Sequence, residues 1–286
     1  MKELKHISHI LHSRKSYRPF LLDISFLSDG IKKPIVVFVH GFKGFKDWGP
    51  FPLMADYFAQ KGFVFLKFNL SHNGTTPEKP MDFSDLEAFG KDNFTTQLED
   101  FSVVLDFIEV VQEPLPAKEI DVQKIYVIGH SRGGSLVLLK ASEDHRIKKL
   151  VTWAAVSDIL SAYKPEDIQN WKATGVRWIA NARTKQQMPI YYQFYEDQVN
   201  NKNYLEVLSV VRKLTQPLLI LHGDKDETVP LSNAYDIHGH APNCKLTIIP
   251  NANHTFGSTH PYSSKVLPEL LKEISDRTIS FFKEEV

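Results

Sequence analysis

Ser131 is the residue best placed to do chemistry. It sits in Gly129-His130-Ser131-Arg132-Gly133, followed by Gly134. The run fits G-x-S-x-G, a cheap match alone, since a plain turn with a capping serine fits it too. A serine acts as nucleophile when a strained strand-to-helix turn points its hydroxyl out of a sheet's carboxyl edge. Side chains at 129 and 133 would crowd such a turn. A helix starting beside the serine also favours negative charge developing there. The flanks supply this setting: Ile125 to Ile128 is a short apolar run, and Ser135 to Ser142 has a helical pattern.

The elements that must position this serine follow from the apolar pattern. Phe20 to Leu27 alternates and meets Ser28-Asp29-Gly30, which predicts a strand ending in a turn. Ile35 to Val39, Phe63 to Phe68, Ile125 to Ile128, Leu150 to Ala155, Leu218 to Leu221 and Leu246 to Ile249 are short apolar runs. They have the composition of strands buried on both faces. Between them lie helical patterns at Pro52 to Gln60, Phe94 to Val111, Ser135 to Ser142 and Val266 to Phe282. In the second, Leu98, Phe101, Val104, Leu105 and Ile108 form one apolar stripe. Such alternation predicts an α/β fold: a mostly parallel central sheet with helices on both faces.

Residues 157–214 break the alternation. They are rich in aromatics, among them Tyr163, Trp171, Trp178 and Phe194, and show no clear strand. The stretch is too long for a structureless loop. It is expected to be a helical cap insertion within a single domain spanning 1–286.

The elbow and its surroundings resemble the α/β-hydrolase superfamily over nearly the whole chain, most closely its esterase-, lipase- and dienelactone-hydrolase-like members with a short cap. The resemblance implies a chain order of oxyanion donor, serine, acid and histidine. His40-Gly41-Phe42, after the strand Ile35 to Val39, matches the oxyanion loop. It implies backbone N–H donors at Phe42 and Arg132, with the His40 side chain only holding its loop. Losing one such donor costs about 3 kcal/mol of transition-state stabilisation. The triple glycine of some lipases is missing here.

His222-Gly223-Asp224-Lys225-Asp226-Glu227-Thr228-Val229-Pro230 resembles the family's H-G-x-x-D-x-x-V-P segment, which makes Asp226 the acid. Asp224 and Asp158 are the competing carboxylates. Asn253-His254-Thr255-Phe256 follows the last strand, where the family keeps its histidine, so the base is His254. His72 is expected to brace its loop. Lys43, Lys46, Asp47 and Trp48 could form a pocket wall or solvated surface.

The resemblance implies cleavage of a carboxylic ester of a small or medium-sized substrate through an acyl-enzyme on Ser131, with no metal or organic cofactor. A small serine aminopeptidase, amidase or thioesterase is the alternative. A non-catalytic binding protein on the same fold is the alternative of another class. Serine at the elbow disfavours a haloalkane-type reaction, and no propeller-like region accompanies the domain.

Composition agrees with a globular protein. Lys+Arg and Asp+Glu are both 34, which leaves no basic excess for a nucleic-acid partner. One cysteine, Cys244, rules out an intrachain disulfide. The N-terminus lacks the apolar core of a signal peptide, and no run of about 18 apolar residues predicts a membrane span. The expected partner is a small-molecule substrate, and the default compartment is cytoplasmic.

Overall fold

The structure is a computed structural model that describes residues 2–284 except 112, 161 and 162. The last two belong to the expected insertion and lie outside the described residues. The strands are β1 (Glu3–His12), β2 (Pro19–Ser28), β3 (Lys33–Val39), β4 (Val64–Phe68), β5 (Ile120–His130), β6 (Ile147–Trp153), β7 (Val176–Ala180), β8 (Gln187–Tyr191), β9 (Leu218–Gly223) and β10 (Cys244–Ile249). The helices are α1 (Phe51–Gln60), α2 (Leu86–Gly90), α3 (Phe94–Glu109), α4 (Arg132–Glu143), α5 (Pro165–Thr174), α6 (Gln193–Asn200), α7 (Lys202–Leu205), α8 (Val207–Val211), α9 (Ser232–His240) and α10 (Glu269–Lys283).

Eight strands form one sheet in the order β1-β2-β4-β3-β5-β6-β9-β10. Only β2 runs against its neighbours; the pairs from β4 to β10 are parallel. The pleat sends alternate residues of β3 to opposite faces. Ile35, Val37 and Val39 join the core beneath α3, α4 and α8, while Val36 and Phe38 join the one beneath α1 and α10. Each buried side chain of this size stabilises the fold by about 2 kcal/mol. This two-sided burial gives the strands their uninterrupted apolar runs.

The parallel register aligns the strand ends that matter. Val39 of β3 pairs with Gly129 of β5, and His130 pairs with Trp153 of β6. Gly223 of β9 pairs with Ile249 of β10. The loops after β3, β5, β9 and β10 therefore leave the same edge of the sheet.

Two strand features depart from the sequence expectation, and the helices α2 and α9 have no reading there. β1 is an edge strand paired with β2 from Glu3↔Ser28 to His12↔Pro19. Apart from Ile10 its exposed side chains are polar, so no apolar run marks it. The second is the antiparallel hairpin β7–β8 inside residues 157–214, a stretch expected to be helical. The helices α5 to α8 are present there too, but the hairpin packs against α2. Arg177 and Trp178 of β7 stay exposed, so no buried run marks this strand either. No helix among the described residues is long and apolar enough to cross a membrane.

Candidate active site

Ser131 follows β5 directly and heads α4 with φ 55° and ψ −123°. A non-glycine residue there is strained, and such strain persists only when the surroundings enforce it. The Ser131 N–H donates to the carbonyl of Trp153 on β6, and Gly134 N–H donates back to Ser131 O. Glycine is required around this turn: a Cβ on Gly129 would lie 2.2 Å from Gly133 O, and one on Gly133 would lie 2.3 Å from Val39 O.

The loop after β3 meets the same point. A Cβ on Gly41 would sit 2.9 Å from Ser131 Cβ and 3.4 Å from its Oγ, so this backbone presses against the serine. His40 holds the loop from below. Its Nδ1–H donates to Gly41 O at 2.9 Å, and its Nε2 accepts from Leu70 N–H at 3.4 Å. Burial, only partly opposed by the Gly41 bond, lowers its pKa to about 4, which keeps the ring neutral and in one tautomer. Among the described residues, neither the Phe42 nor the Arg132 N–H has a hydrogen-bond acceptor.

His254 and Asp226 come together after β10 and β9. Nδ1–H of His254 donates to Asp226 Oδ2 at 2.8 Å, which leaves Nε2 as the acceptor nitrogen. The Asp226 side chain is fully buried. Burial penalises its charge, but His222, His254 and the Val229 N–H outweigh that and hold its pKa well below the carboxylate range. Asp226 Oδ1 accepts the N–H groups of Thr228 and Val229 at 2.9 and 2.8 Å. The other carboxylates serve elsewhere: Asp224 accepts Asn251 N–H at 2.7 Å, and Asp158 accepts Leu160 N–H at 2.8 Å.

Ser131 and His254 open onto one cavity of about 460 Å³, walled by Phe42, Trp48, Phe51 and Arg183. No hydrogen bond joins the serine hydroxyl to the imidazole among the described residues; such bonds often tighten only around a substrate. Of the residues flanking the Gly41 loop, Lys43 and Trp48 line the cavity. Lys46 and Asp47 instead turn into a buried ion cluster with Asp23 and Lys67. His72 is buried, with Nδ1 2.7 Å from Ser71 Oγ.

The model of the family described as BD-FAE matches residues 22–240. The chain belongs to the BD-FAE family. Among curated proteins, this BD-FAE member is 31% identical over 115 residues to the uncharacterized peptidase YtmA of Bacillus subtilis, covering 39% of this chain and 38% of that one. It is 26% identical over 153 residues to the serine hydrolase BPHL of Homo sapiens, covering 48% and 50%. The chain thus spans half or less of the length of these two relatives. Among solved structures, Est1E from Butyrivibrio proteoclasticus superposes with a TM-score of 0.67 at 19% identity, covering 95% of this chain and 96% of that one. Est1E is also known with ferulic acid bound. This BD-FAE member has the α/β-hydrolase fold and belongs among the esterase- and lipase-like hydrolases of that superfamily.

Three side chains of the BD-FAE site have no reading from sequence. His222 Nε2 lies 3.3 Å from Asp226 Oδ2 and 2.9 Å from Val229 O, a second support for the carboxylate. Its place in the H-G-x-x-D segment, four residues before Asp226, was the available signal. His130 donates Nε2–H to the His254 carbonyl at 2.9 Å. The third is the Arg132 guanidinium. It is buried over the Phe42 ring at 3.8 Å, with Phe94 and Phe194 at 5.2 and 5.3 Å.

Asp92 is the nearby counter-charge. Burial, partly opposed by Arg132 and a hydrogen bond from Gln97, raises its pKa to about 7. A carboxyl raised on folding stabilises the fold most below its unfolded pKa and loses that contribution as pH rises through the folded value. Asp92→Asn removes this titration. Between pH 5 and 8 the variant's stability relative to wild type is expected to rise, by on the order of 2 kcal/mol. Urea denaturation at the two pH values measures it; a constant difference refutes the assignment.

Proposed function

We propose that this BD-FAE member is a serine hydrolase of carboxylic esters, with Ser131 as nucleophile, His254 as general base and acid, and Asp226 as the group that orients His254. The reading rests most on the strained Ser131 backbone, pressed by Gly41 and facing the cavity that holds His254. Residues 1–286 act as a single domain, with 157–214 as the insertion that shapes access.

Ser131 Oγ attacks the carbonyl carbon while His254 Nε2 takes its proton. The carbonyl electrons move onto oxygen, which the N–H groups of Phe42 and Arg132 receive. Asp226 keeps the proton on Nδ1 and stabilises the imidazolium. Collapse of the intermediate breaks the ester C–O bond, and His254 passes its proton to the leaving alcohol. Water repeats the sequence on the acyl-serine. This side-chain set gives no reason to prefer a non-catalytic binding role.

An amide substrate is the second reading, favoured by the similarity to a protein named as a peptidase. A panel of short p-nitrophenyl esters, ferulate esters, thioesters and aminoacyl p-nitroanilides separates them. The ester reading expects kcat/KM for esters to exceed that for anilides by orders of magnitude. A fluorophosphonate probe is expected to add one phosphonyl group to the peptide carrying Ser131. Labelling elsewhere, or none, removes the proposal.

A further inference from the structure

We propose that the cavity takes an ester whose non-reacting end carries a carboxylate, and that Arg183 is the residue that receives it. This rests on the hydrolase reading and names its substrate class.

Gly41, Ser131 and His254 mark the reacting end. Residues 181–186, between β7 and β8, contribute Asn181 and Arg183 to the cavity. The turn is held from several sides. Asn181 N–H and Lys185 N–H donate to Gln186 O and Asn181 O at 2.9 and 2.8 Å. Gln186 Nε2 donates to Phe83 O at 3.0 Å.

Arg183 lies over the rings of Phe45 and Phe83 at 5.5 and 5.6 Å. The guanidinium carbon thus sits near two aromatic rings, and its fork of N–H donors suits a planar anion. Among the described residues the guanidinium has no hydrogen bond and no ion pair. Asp82 is close enough to act on its charge but forms no salt bridge with it. Arg183 is exposed, so water meets its donors where no carboxylate does.

The neighbours of Arg183 present donors too. His260 Nδ1 accepts Gly49 N–H at 2.8 Å, so the hydrogen of its neutral ring sits on Nε2. The ring is fixed against Phe45 and Trp48, with centroids 5.1 and 6.0 Å away. The Lys43 ammonium touches Ala180 O at 3.4 Å and keeps two donors free. Among the described residues no aspartate or glutamate lines the cavity, while Lys43 and Arg183 both do. Two cations and a neutral N–H donor, with no carboxylate and with Trp48 and Phe51 as apolar walls, make a receptor for an anion attached to an apolar body.

Two matched ester pairs test this. One is mono-p-nitrophenyl glutarate against its methyl-capped diester, with the anion on the acyl side. The other is p-carboxyphenyl acetate against its methyl ester, with the anion on the alcohol side. In one pair the anionic member is expected to have about tenfold higher kcat/KM, mostly through KM. That ratio is expected to fall toward unity in Arg183→Gln and in about 0.5 M NaCl. No preference in either pair, or a preference that survives Arg183→Gln, overturns the proposal. If no ester is turned over and no probe labels Ser131, the hydrolase reading has failed instead. Calorimetry of glutarate binding to Ser131→Ala then decides the anion site: binding lost on adding Arg183→Gln supports it, and no binding overturns it.

Discussion

Ser131→Ala is expected to lower kcat on a short p-nitrophenyl ester by about a million-fold, with KM changed by less than about threefold. The serine oxygen is the only atom lost. Alanine keeps the Cβ that packs against Gly41, and the strained turn is imposed by Trp153 O and the close approach of Gly133 to β3. Folding should therefore survive, and circular dichroism with thermal melting checks that it does. The proposed oxyanion donors at Phe42 and Arg132 stay in place, so about a thousandfold of residual acceleration over water is expected. A loss below about tenfold in a folded variant would mean that another nucleophile does the work.

Asp226→Asn is expected to reduce kcat by about ten-thousandfold while the fold persists. The geometry fixes how the amide must sit. Oδ1 accepts the N–H groups of Thr228 and Val229, so the amide oxygen takes that place. Its NH2 group then points where Oδ2 meets His254 and His222. His254 can satisfy that donor only by turning Nδ1 into an acceptor, which puts its hydrogen on Nε2 and removes the base from Ser131. The loss should appear in kcat at every pH where the enzyme is folded. Histidine NMR should report the opposite tautomer. Near-wild-type turnover with an inverted tautomer would sink the assigned role of His254.

Strands buried on both faces are legible because burial forces apolar residues into uninterrupted runs, as in Ile35 to Val39. Fixed main-chain geometry makes the turn around Ser131 legible too, because backbone approaches at Gly129 and Gly133 exclude every Cβ. The strand β1 is not legible: at the sheet edge its face to water takes His, Lys and Ser. In the β7–β8 hairpin β7 escapes for a similar reason, since Arg177 and Trp178 stay exposed while β8 alone supplies buried residues such as Met188. His222 and His130 each act through one ring nitrogen, on groups around a turn or far along the chain. Such bonds leave no periodic trace. Arg132 reads as a surface residue by type, and only its three aromatic neighbours, brought from three separate segments, make its burial possible.

The stacking of Arg132 on Phe42, Phe94 and Phe194 bears on how this architecture can be re-engineered. Phe194 belongs to α6, while Phe42 lines the cavity and Arg132 directly follows Ser131. Grafting a foreign lid from another esterase is therefore no neutral change of selectivity. A graft without an aromatic at that position strips one wall from the guanidinium and loosens the residue next to the nucleophile. Chimeras should carry Phe194 along with the transplanted segment.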